Sequence, residues 1–405
     1  MRREYDVIVV GARCAGATTA MLLARAGYTV LLLDRARFPR DTLSTLYIHQ
    51  PGVALLARWG LLDQVLATGC PAVDSAVYQV ADVRLEGCSW PVDGIRAAYA
   101  PRRHLLDRIL VDGAVTAGAE FRDGCGVEDL IRDGERVTGV RCRAGSARAR
   151  LVVGADGMRS TVAARAGART LTERAPMTCV YYSFWAGVPT RFEAYGAAGG
   201  WAGSVPTNDG LTLVAAYFPQ ARFGAIRPDA ARAYRDGIRA VAPDLAGRLD
   251  AGTQVERLYG TGEQRNFFRQ AAGPGWALVG DAGHHKDSIT ARGITDAFRQ
   301  AVLLADCLGD GVRDEDRLGT GLRRYATARN GAMLDGYRDT LAAAELRPER
   351  RLASLRAIAA DPALVERFFA RLAGACPVDG TGSPGPARAR PHPRRTAWTG
   401  PSTST

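Results

Sequence analysis

The segment Tyr5–Asp34, YDVIVVGARCAGATTAMLLARAGYTVLLLD, decides the fold of this chain. Tyr5–Val10 is apolar and β-branched, which is typical of a buried parallel strand. A glycine turn follows at Gly11–Gly16, Ala17–Ala26 has helical spacing, and Thr29–Leu33 is a second buried strand. A strand, a glycine turn, a helix and a strand within about 30 residues predict a mononucleotide-binding unit.

The glycine turn is a variant of the GxGxxG pattern in which Arg13 takes the place of the middle glycine. Gly11 permits the tight turn, and Gly16 lets the helix approach the strand closely. The helix N-terminus then offers free N–H groups to a pyrophosphate. The Cβ of Arg13 restricts the approach of phosphate, and its guanidinium is an alternative contact for the cofactor. We expect a nucleotide to be bound by Gly11, Arg13, Cys14, Ala15 and Gly16.

Asp34 stands at the end of the second strand and is followed by Arg35. A carboxylate at this place accepts hydrogen bonds from ribose hydroxyls and repels a 2′-phosphate. The nucleotide bound here is therefore FAD or NAD, not NADP, and we expect both residues to contact it.

Two further turns follow buried strands. Gly154-Ala155-Asp156-Gly157 comes after Leu151–Val153, and Gly280-Asp281-Ala282-Gly283-His284 comes after Trp276–Val279. Asp281 can accept a hydrogen bond from a ribityl hydroxyl. The start of a helix at Gly293-Ile294-Thr295 can stabilise negative charge on a reduced flavin.

The order and spacing of the three turns resemble those of FAD-dependent monooxygenases of the para-hydroxybenzoate hydroxylase type, called group A. The geranylgeranyl reductases and flavin-dependent halogenases are relatives of that family. The resemblance implies that Asp156 supports FAD and NAD(P)H binding, that Asp281 and Gly280 bind the FAD ribityl chain, and that Arg103, in an RxxL pattern, lies near the flavin nucleotide. It implies an α/β fold: a Rossmann-type FAD-binding domain with an inserted mixed or antiparallel β-sheet substrate domain and C-terminal helices.

Two departures leave the branch of the family open. The family's Pro-Pro pair is replaced by Asp287-Ser288, and Asp41–Thr45 is similar to the flavin-facing loop of the halogenases and reductases, which places Thr45 at the flavin. Halogenases carry a Trp-x-Trp-x-Ile-Pro motif and a lysine well upstream of it. Here Trp201–Pro206 lacks the second tryptophan, and no lysine precedes Lys286.

We predict an FAD-binding domain from residues 1–75, 97–170 and 271–310, and a substrate-binding sheet domain from 76–96 and 171–270. Residues 311–376 are predicted to be helical. Residues 377–405, rich in Gly, Pro, Arg, Ser and Thr, are predicted to be a disordered tail. Within the sheet domain, we expect substrate contacts from the aromatic residues Tyr181, Tyr182, Trp185 and Trp201.

Three of the five histidines, His49, His284 and His285, lie near the two predicted flavin loops, where a histidine can carry protons to flavin or substrate. The resemblance implies a monooxygenase that hydroxylates or epoxidises an aromatic or polyketide-like molecule of secondary metabolism, through a C4a-hydroperoxyflavin, with NAD(P)H and O2. Two electron donors are open. NAD(P)H binds transiently, since no second Rossmann unit is visible, or a separate flavin reductase supplies the electrons. The alternative is a flavin-dependent reductase or dehydrogenase of the geranylgeranyl-reductase-like branch.

The overall composition favours a cytoplasmic protein that binds small molecules. The net charge is +11, but the arginines are scattered apart from a cluster at Arg388–Arg395, so no nucleic-acid surface is predicted. The sequence contains no run of about 18 apolar residues, so no membrane span is predicted. The eight cysteines form no CxxC pair, which predicts neither a disulfide framework nor a metal site and fits a reducing compartment.

Overall fold

The computed structural model describes residues 4–143 and 145–376, so the predicted tail and the Arg388–Arg395 cluster lie outside the described residues. The strands are β1 (Glu4–Val10), β2 (Val30–Leu33), β3 (Ala76–Val80), β4 (Val83–Gly87), β5 (Glu120–Arg122), β6 (Val127–Asp133), β7 (Arg136–Cys142), β8 (Gly145–Gly154), β9 (Thr170–Arg174), β10 (Thr178–Ala186), β11 (Phe192–Ala197), β12 (Gly200–Pro206), β13 (Leu211–Pro219), β14 (Thr253–Gln254), β15 (Tyr259–Thr261), β16 (Asn266–Arg269), β17 (Ala272–Gly273), β18 (Trp276–Leu278) and β19 (His284–His285).

The α-helices are α1 (Cys14–Arg25), α2 (Gln50–Arg58), α3 (Leu62–Ala67), α4 (Arg103–Thr116), α5 (Thr161–Ala166), α6 (Phe223–Ile226), α7 (Ala230–Val241), α8 (Pro243–Ala251), α9 (Gly293–Leu308), α10 (Glu315–Ala344), α11 (Leu352–Ala359) and α12 (Pro362–Ala373).

The first sheet has a parallel centre in the order β18-β8-β1-β2-β5. Its apolar strands are buried on both faces, as parallel strands require. The first half of β8 pairs antiparallel with β7, and its last residues pair parallel with β18. Strand β8 therefore places the Asp156 turn at the same end of the sheet as the glycine turn that follows β1.

Helix α1 begins at Cys14, three residues before the predicted start at Ala17, and ends at Arg25. Arg13 is the residue before the helix and makes no side-chain cap, so the first N–H groups of α1 are left without a cap from Arg13. The helix lies against α4 and α9 within the main hydrophobic core.

The second sheet has the order β14-β10-β13-β12-β11-β3-β4, and β15 also pairs with β10. All pairs are antiparallel except β11 with β3. Helices α7 and α8, which the sequence analysis did not identify, cover one face of this sheet and form a core with it. The predicted α/β fold with an inserted, largely antiparallel sheet and C-terminal helices is confirmed.

A small third sheet has the strand order β19-β16-β9. Helix α10 runs for 30 residues, and α11 and α12 follow it at the end of the described chain. Within residues 4–143 and 145–376, no helix has both the length and the hydropathy that a bilayer span needs.

Candidate functional site

The three predicted turns meet at the end of the first sheet. Gly11 has a φ of +99°, and a Cβ there would overlap the Ala155 carbonyl and lie 2.9 Å from the Asp156 nitrogen. Gly280 has a φ of +58°, and a Cβ there would lie 2.7 Å from the Cβ of Ala15. Only glycine allows these close approaches at positive φ. The structure thus brings Gly11, Ala15, Asp156 and Gly280 together at the start of α1.

Asp107 organises the charged side chains at this helix N-terminus. Its buried carboxylate accepts hydrogen bonds from Arg13 at 2.9 Å and from Arg103 at 2.9–3.2 Å. The Cys14 thiol donates to it at 3.4 Å. The carboxylate of α4 therefore holds the Arg13 guanidinium beside the glycine turn, and the side chain does not point away from it.

Burial and charge set the protonation of this cluster. Burial raises the pKa of the Cys14 thiol to about 12, so the thiol stays protonated near neutral pH. Burial alone would lower the pKa of Arg103, but the charge of Asp107 outweighs it and the pKa rises. Arg103 is also within electrostatic range of Asp281. A fixed positive charge thus lies between two of the turns, where a phosphate group can pair with it.

Asp34 closes the glycine turn from the end of β2. One carboxylate oxygen accepts from the Ala12 N–H at 2.8 Å and the other accepts from the Ala36 N–H at 2.8 Å. A carboxylate has further lone pairs, so it can still accept from a ribose hydroxyl. Arg35 is exposed beside it. A cavity of about 550 Å³ opens next to this strand end, with Leu33, Phe38 and Phe121 in its wall.

Asp156 holds its own turn. Its carboxylate accepts from the Ser160 hydroxyl at 2.5 Å and from the Thr161 and Val162 N–H groups at 2.6 and 3.1 Å, which caps α5. Burial raises the pKa of Asp156, and these hydrogen bonds oppose the rise. In this structure the residue's visible role is to shape the turn.

Two arginines that the sequence analysis missed tie the second and third turns together. Arg269 donates to the Met158 carbonyl at 3.1 Å and to the Ala282 carbonyl at 2.9 Å. Arg329, fully buried on α10, donates to the Gly283 and Arg269 carbonyls at 2.7 and 2.6 Å. Neither belongs to a recognisable motif, so no signal in the local sequence marks them.

Asp281 contrasts with these residues because it is exposed. Its carboxylate faces solvent at the turn, which leaves it available for hydroxyl donors.

The N-terminus of α9 lies against the loop that was predicted to face the flavin. Gly293 is exposed at the first position of the helix, and Ile294 and Thr295 are buried behind it. The Thr295 hydroxyl accepts a hydrogen bond from the backbone N–H of His49 at 3.2 Å. Thr45 is partly exposed in the loop before His49. The structure therefore places the predicted flavin loop beside a helix start whose N–H groups can bind an anion.

Lys286 and Asp296 form a buried ion pair behind this helix start. Burial alone would raise the pKa of Asp296, but the charges of Lys286 and Arg292 outweigh it and lower the pKa. Both charges are thus satisfied inside the core, and the chain's lysine serves the loop's structure.

The three predicted catalytic histidines have different surroundings. His49 is buried with Nε2 3.3 Å from the Thr290 carbonyl, and burial lowers its pKa to about 3. His284 is buried against Phe268, and burial lowers its pKa as well. His285 is partly exposed and its Nδ1 bonds the Arg265 carbonyl. His49 and His284 are therefore neutral at ordinary pH.

One face of the second sheet turns toward the flavin loop. One row on this face runs Tyr78–Ala194–Gly203–Ala215–Tyr182 across five neighbouring strands. Ala194, Ala215 and Tyr182 belong to the core that also contains loop residues of the first part, Leu46, Tyr47, Ile289 and Ala291. The row has small side chains in its middle and a tyrosine at each end, and the Trp201 ring covers Gly203.

Two of the four predicted substrate residues lie on this face. Tyr182 accepts from the Ser44 N–H at 3.4 Å, which ties the loop to the sheet. The ring of Trp201 fills the space that a Cβ at Gly203 would need, and its centroid is 5.1 Å from that of Tyr217.

The other two, Tyr181 and Trp185, lie on the opposite face beneath α7 and α8. Trp185 donates to the Tyr234 hydroxyl at 3.1 Å and is 1% exposed. Because neighbouring residues of a strand point to opposite faces, Tyr181 and Tyr182 cannot share a chamber. The structure does not bring Tyr181 and Trp185 to the flavin loop, and the substrate prediction is kept for Tyr182 and Trp201.

Comparison with known proteins identifies what this arrangement resembles. A family model described as an FAD binding domain matches residues 4–332. The digeranylgeranylglycerophospholipid reductase of Methanosarcina mazei is 26% identical over 336 residues, 78% of each chain. The 6-methylpretetramide 4-monooxygenase of Streptomyces rimosus is 28% identical over 324 residues, 77% of each chain. The structure of the flavin-dependent brominase Bmp2 superposes with a TM-score of 0.80 at 21% identity, covering 92% of this chain and 94% of that one.

Proposed function

This chain belongs to the FAD binding domain family as an FAD-dependent oxidoreductase, and we propose that it is a monooxygenase using NAD(P)H and O2. Its proposed substrate is an aromatic or polyketide-like small molecule of secondary metabolism, which it hydroxylates or epoxidises. The observation that carries the proposal is one face of the second sheet, an apolar face with tyrosines at both ends that packs against the loops of the nucleotide site.

The residues around the three turns support the proposal that FAD binds there. Positive-φ glycines at Gly11 and Gly280 leave room where a Cβ would collide, and the N-terminus of α1 carries no side-chain cap. Arg103 offers a buried cation, and Asp281 offers an exposed carboxylate. These are the groups that a dinucleotide's pyrophosphate and hydroxyls need.

We propose the following division of work among residues. Gly11, Cys14, Ala15 and Gly16 present the α1 N–H groups to the pyrophosphate, with Arg13 and Arg103 as its counter-charges. Asp34, with Arg35 nearby, binds the adenosine ribose beside the cavity at Leu33. Asp281 and Gly280 bind the ribityl chain, and Asp156 shapes the turn beneath them.

When bound, FAD supplies hydride acceptance and oxygen activation. The protein's own residues position the cofactor and the substrate, and they exclude water. Gly293, Ile294 and Thr295 direct the α9 N–H groups at negative charge, and Thr45 lines the opposing loop. The apolar face of the second sheet holds the substrate away from bulk water, with Tyr182 and Trp201 as its aromatic contacts. We assign His49 and His284 structural roles and retain His285, which is partly exposed, as the candidate proton carrier.

Oxygen uptake by the purified protein tests the proposal. We expect a yellow protein that oxidises NAD(P)H and consumes O2 in step with the formation of an oxygenated aromatic product. A partner flavin reductase is added in a parallel reaction, because an electron donor of that kind is the alternative to direct reduction by NAD(P)H. Substrate turnover with no incorporation of oxygen from ¹⁸O2 would contradict the proposal.

A flavin-dependent reductase or dehydrogenase is the second candidate. It is favoured by the loop Asp41–Thr45 and by the similarity to a digeranylgeranylglycerophospholipid reductase. The two candidates differ in their need for O2. A reductase completes its cycle anaerobically when a reduced donor is supplied, whereas a monooxygenase stops after flavin reduction.

A further inference from the structure

Two cysteines share the wall of the cavity at Leu33. Cys125 lies in the turn between β5 and β6, and Cys142 is the last residue of β7. Both side chains line this cavity of about 550 Å³. Cys125 is partly exposed, whereas Cys142 is buried at 8% exposure. The proposed oxygen chemistry gives neither thiol a role.

The pairing of β6 with β7 brings the two thiols together. Val127 faces Cys142 across this pair of strands, and Cys125 is two residues before Val127. Both cysteines pack in the same apolar cluster on this face of the first sheet. The Cys125 side chain is a hydrogen-bond partner of the Cys142 thiol. Two adjacent thiols on the wall of a cavity that a small oxidant can enter form a pair that can be oxidised to a disulfide.

The two thiols differ in reactivity. Burial raises the pKa of the Cys142 thiol, and the hydrogen bond with Cys125 adds to the rise, so Cys142 stays protonated near neutral pH. A protonated thiol is a poor nucleophile. Cys125 is the more exposed of the two and lines the cavity, so an oxidant reaches its sulfur first. Cys142 is then the thiol that resolves the oxidised Cys125.

Hydrogen peroxide is the oxidant that a flavoprotein meets, because O2 becomes hydrogen peroxide when it takes two electrons from a reduced flavin and no substrate receives the oxygen. The Cys125 sulfur attacks one peroxide oxygen, the O–O bond breaks, and a sulfenic acid forms while the departing hydroxide takes the Cys125 proton. The Cys142 sulfur attacks the Cys125 sulfur, the S–S bond forms, the S–O bond breaks, and the second hydroxide takes the Cys142 proton. Two thiols thus lose two electrons, and one peroxide becomes two waters.

The Cys125 turn is bonded to the segment that is proposed to bind the adenosine ribose. The Cys125 N–H donates to the Asp34 carbonyl at 2.8 Å, and the Asp34 N–H donates to the Arg122 carbonyl at 3.0 Å. A disulfide holds its sulfurs about 2.05 Å apart, closer than two hydrogen-bonded thiols, so the turn must move toward β7. Gly124 and Gly126 flank Cys125 and give the backbone the freedom to move. The movement therefore acts on Asp34.

We propose that hydrogen peroxide joins Cys125 and Cys142 in a reversible disulfide, and that this disulfide weakens FAD binding through Asp34. In a reducing compartment such a bond forms transiently and reports the local oxidant. The effect on FAD rests on the proposed function, because it takes Asp34 as the contact to the adenosine ribose. The formation of the disulfide does not rest on it.

Peptide mapping of the FAD-loaded protein tests the disulfide. The protein is treated with hydrogen peroxide, the remaining thiols are blocked with N-ethylmaleimide, and trypsin digests it without reduction. An arginine stands before and after each of the two cysteines, so they lie on separate peptides. We expect a cross-linked peptide that is two hydrogens lighter than the sum of its parts and that dithiothreitol separates again.

The fluorescence of FAD released on dilution tests the coupling. We expect oxidation to raise the FAD dissociation constant about 5-fold, the effect of about one net hydrogen bond, and dithiothreitol to reverse the change. Cys142→Ser stops at the Cys125 sulfenic acid, which dimedone labels, and Cys125→Ser gives neither product. Both variants are expected to keep their FAD affinity in peroxide.

Cys307→Ser is the matched control, because Cys307 is another partly exposed cysteine, on α9. We expect it to keep both the cross-link and the response of FAD binding. The absence of the cross-linked peptide from the wild type, or the pairing of either cysteine with a different one, would overturn the inference. A cross-link that leaves the FAD dissociation constant unchanged would overturn the coupling to Asp34.

These outcomes are separate from the oxygen-uptake experiment, because the oxidant is added and no substrate is present. A cross-link between Cys125 and Cys142 in a protein that never incorporates oxygen would keep the disulfide and overturn the monooxygenase proposal.

Discussion

Gly11 carries the contact between the first two turns, because its missing side chain is what lets the Ala155 carbonyl approach. We expect Gly11→Ala to abolish flavin binding. We also expect it to lower the free energy of unfolding by more than a Cβ at a positive φ costs by itself. Gly27→Ala is the matched control, since Gly27 has a φ of +85° and open space around it. That control should lose about 1 kcal/mol of stability and keep its flavin.

Flavin absorbance of the purified proteins and chemical unfolding measure both effects. Equal losses in the two variants would mean that the backbone conformation, and not the contact with Ala155, explains the role of Gly11.

Asp287 is a buried carboxylate, and burial raises its pKa from 3.8 to about 6, against the hydrogen bond from Thr178. In the wild type, this group's contribution to stability is fully present below about pH 3.8 and is lost as the pH rises through about 6. The loss amounts to about 3 kcal/mol. We therefore expect Asp287→Asn to gain stability relative to the wild type at pH 7.5 but not at pH 4.

Urea unfolding at several pH values checks this prediction. The difference in unfolding free energy between variant and wild type should grow between pH 4 and pH 7 and then level off. A difference that does not vary with pH would show that the Asp287 carboxyl titrates at its ordinary pKa.

At the scale of elements, the position of α4 against α1 depends on one buried carboxylate. Asp107 forms ion pairs with both Arg103 of its own helix and Arg13 before α1. We expect Asp107→Asn to cost about 3 kcal/mol of stability, because it leaves Arg103 charged and buried, and to weaken flavin binding.

Asp112→Asn on the same helix is the control, since Asp112 forms an exposed pair with Arg108 at 2.7 Å. The exposed pair should contribute less than about 1 kcal/mol. Thermal unfolding and flavin titration compare the two variants. If Asp107→Asn matches Asp112→Asn in both measurements, the cluster does not hold the helices together.

The elements around the three turns were predictable, because each turn follows a short buried strand and its glycines mark the close approaches. Helix α7 was missed although it has a local signal, an Asp229 cap and apolar residues at Tyr234 and Ile238. Asp107 and Arg269 could not be predicted as site residues. Their partners come from other parts of the chain, and only the packing of whole elements brings them together.

At the scale of the whole molecule, the sequence indicates an FAD-binding part and a sheet part. It does not indicate which face of the second sheet turns toward the flavin loops. Alternation along β10 places Tyr181 and Tyr182 on opposite faces, and either face could have turned toward the flavin loops. The choice follows from α7 and α8 covering the face of Tyr181, together with the contact from Tyr182 to Ser44. This explains why half of the predicted substrate residues lie away from the site.

The two parts are joined through Asn208, a fully buried residue in the turn between β12 and β13. Its side-chain oxygen accepts from the Arg102 N–H at 2.9 Å, and its nitrogen donates to the Thr68 carbonyl and hydroxyl at 2.9 Å. Asn208→Ala would leave the buried Arg102 N–H without a partner, at a cost of about 1–3 kcal/mol, and would also remove the bonds to the partly exposed Thr68.

Because these bonds connect the sheet to the flavin-binding part, we expect the whole molecule to unfold as one unit in the wild type. Tryptophan fluorescence, which reports Trp185 and Trp201 in the sheet as well as Trp59 and Trp276 in the other part, should change at the same temperature as flavin release. In Asn208→Ala we expect both signals to shift to lower temperature. Flavin release at an unchanged temperature, with only the tryptophan signal shifted, would mean that the sheet unfolds independently and that Asn208 does not couple the two parts.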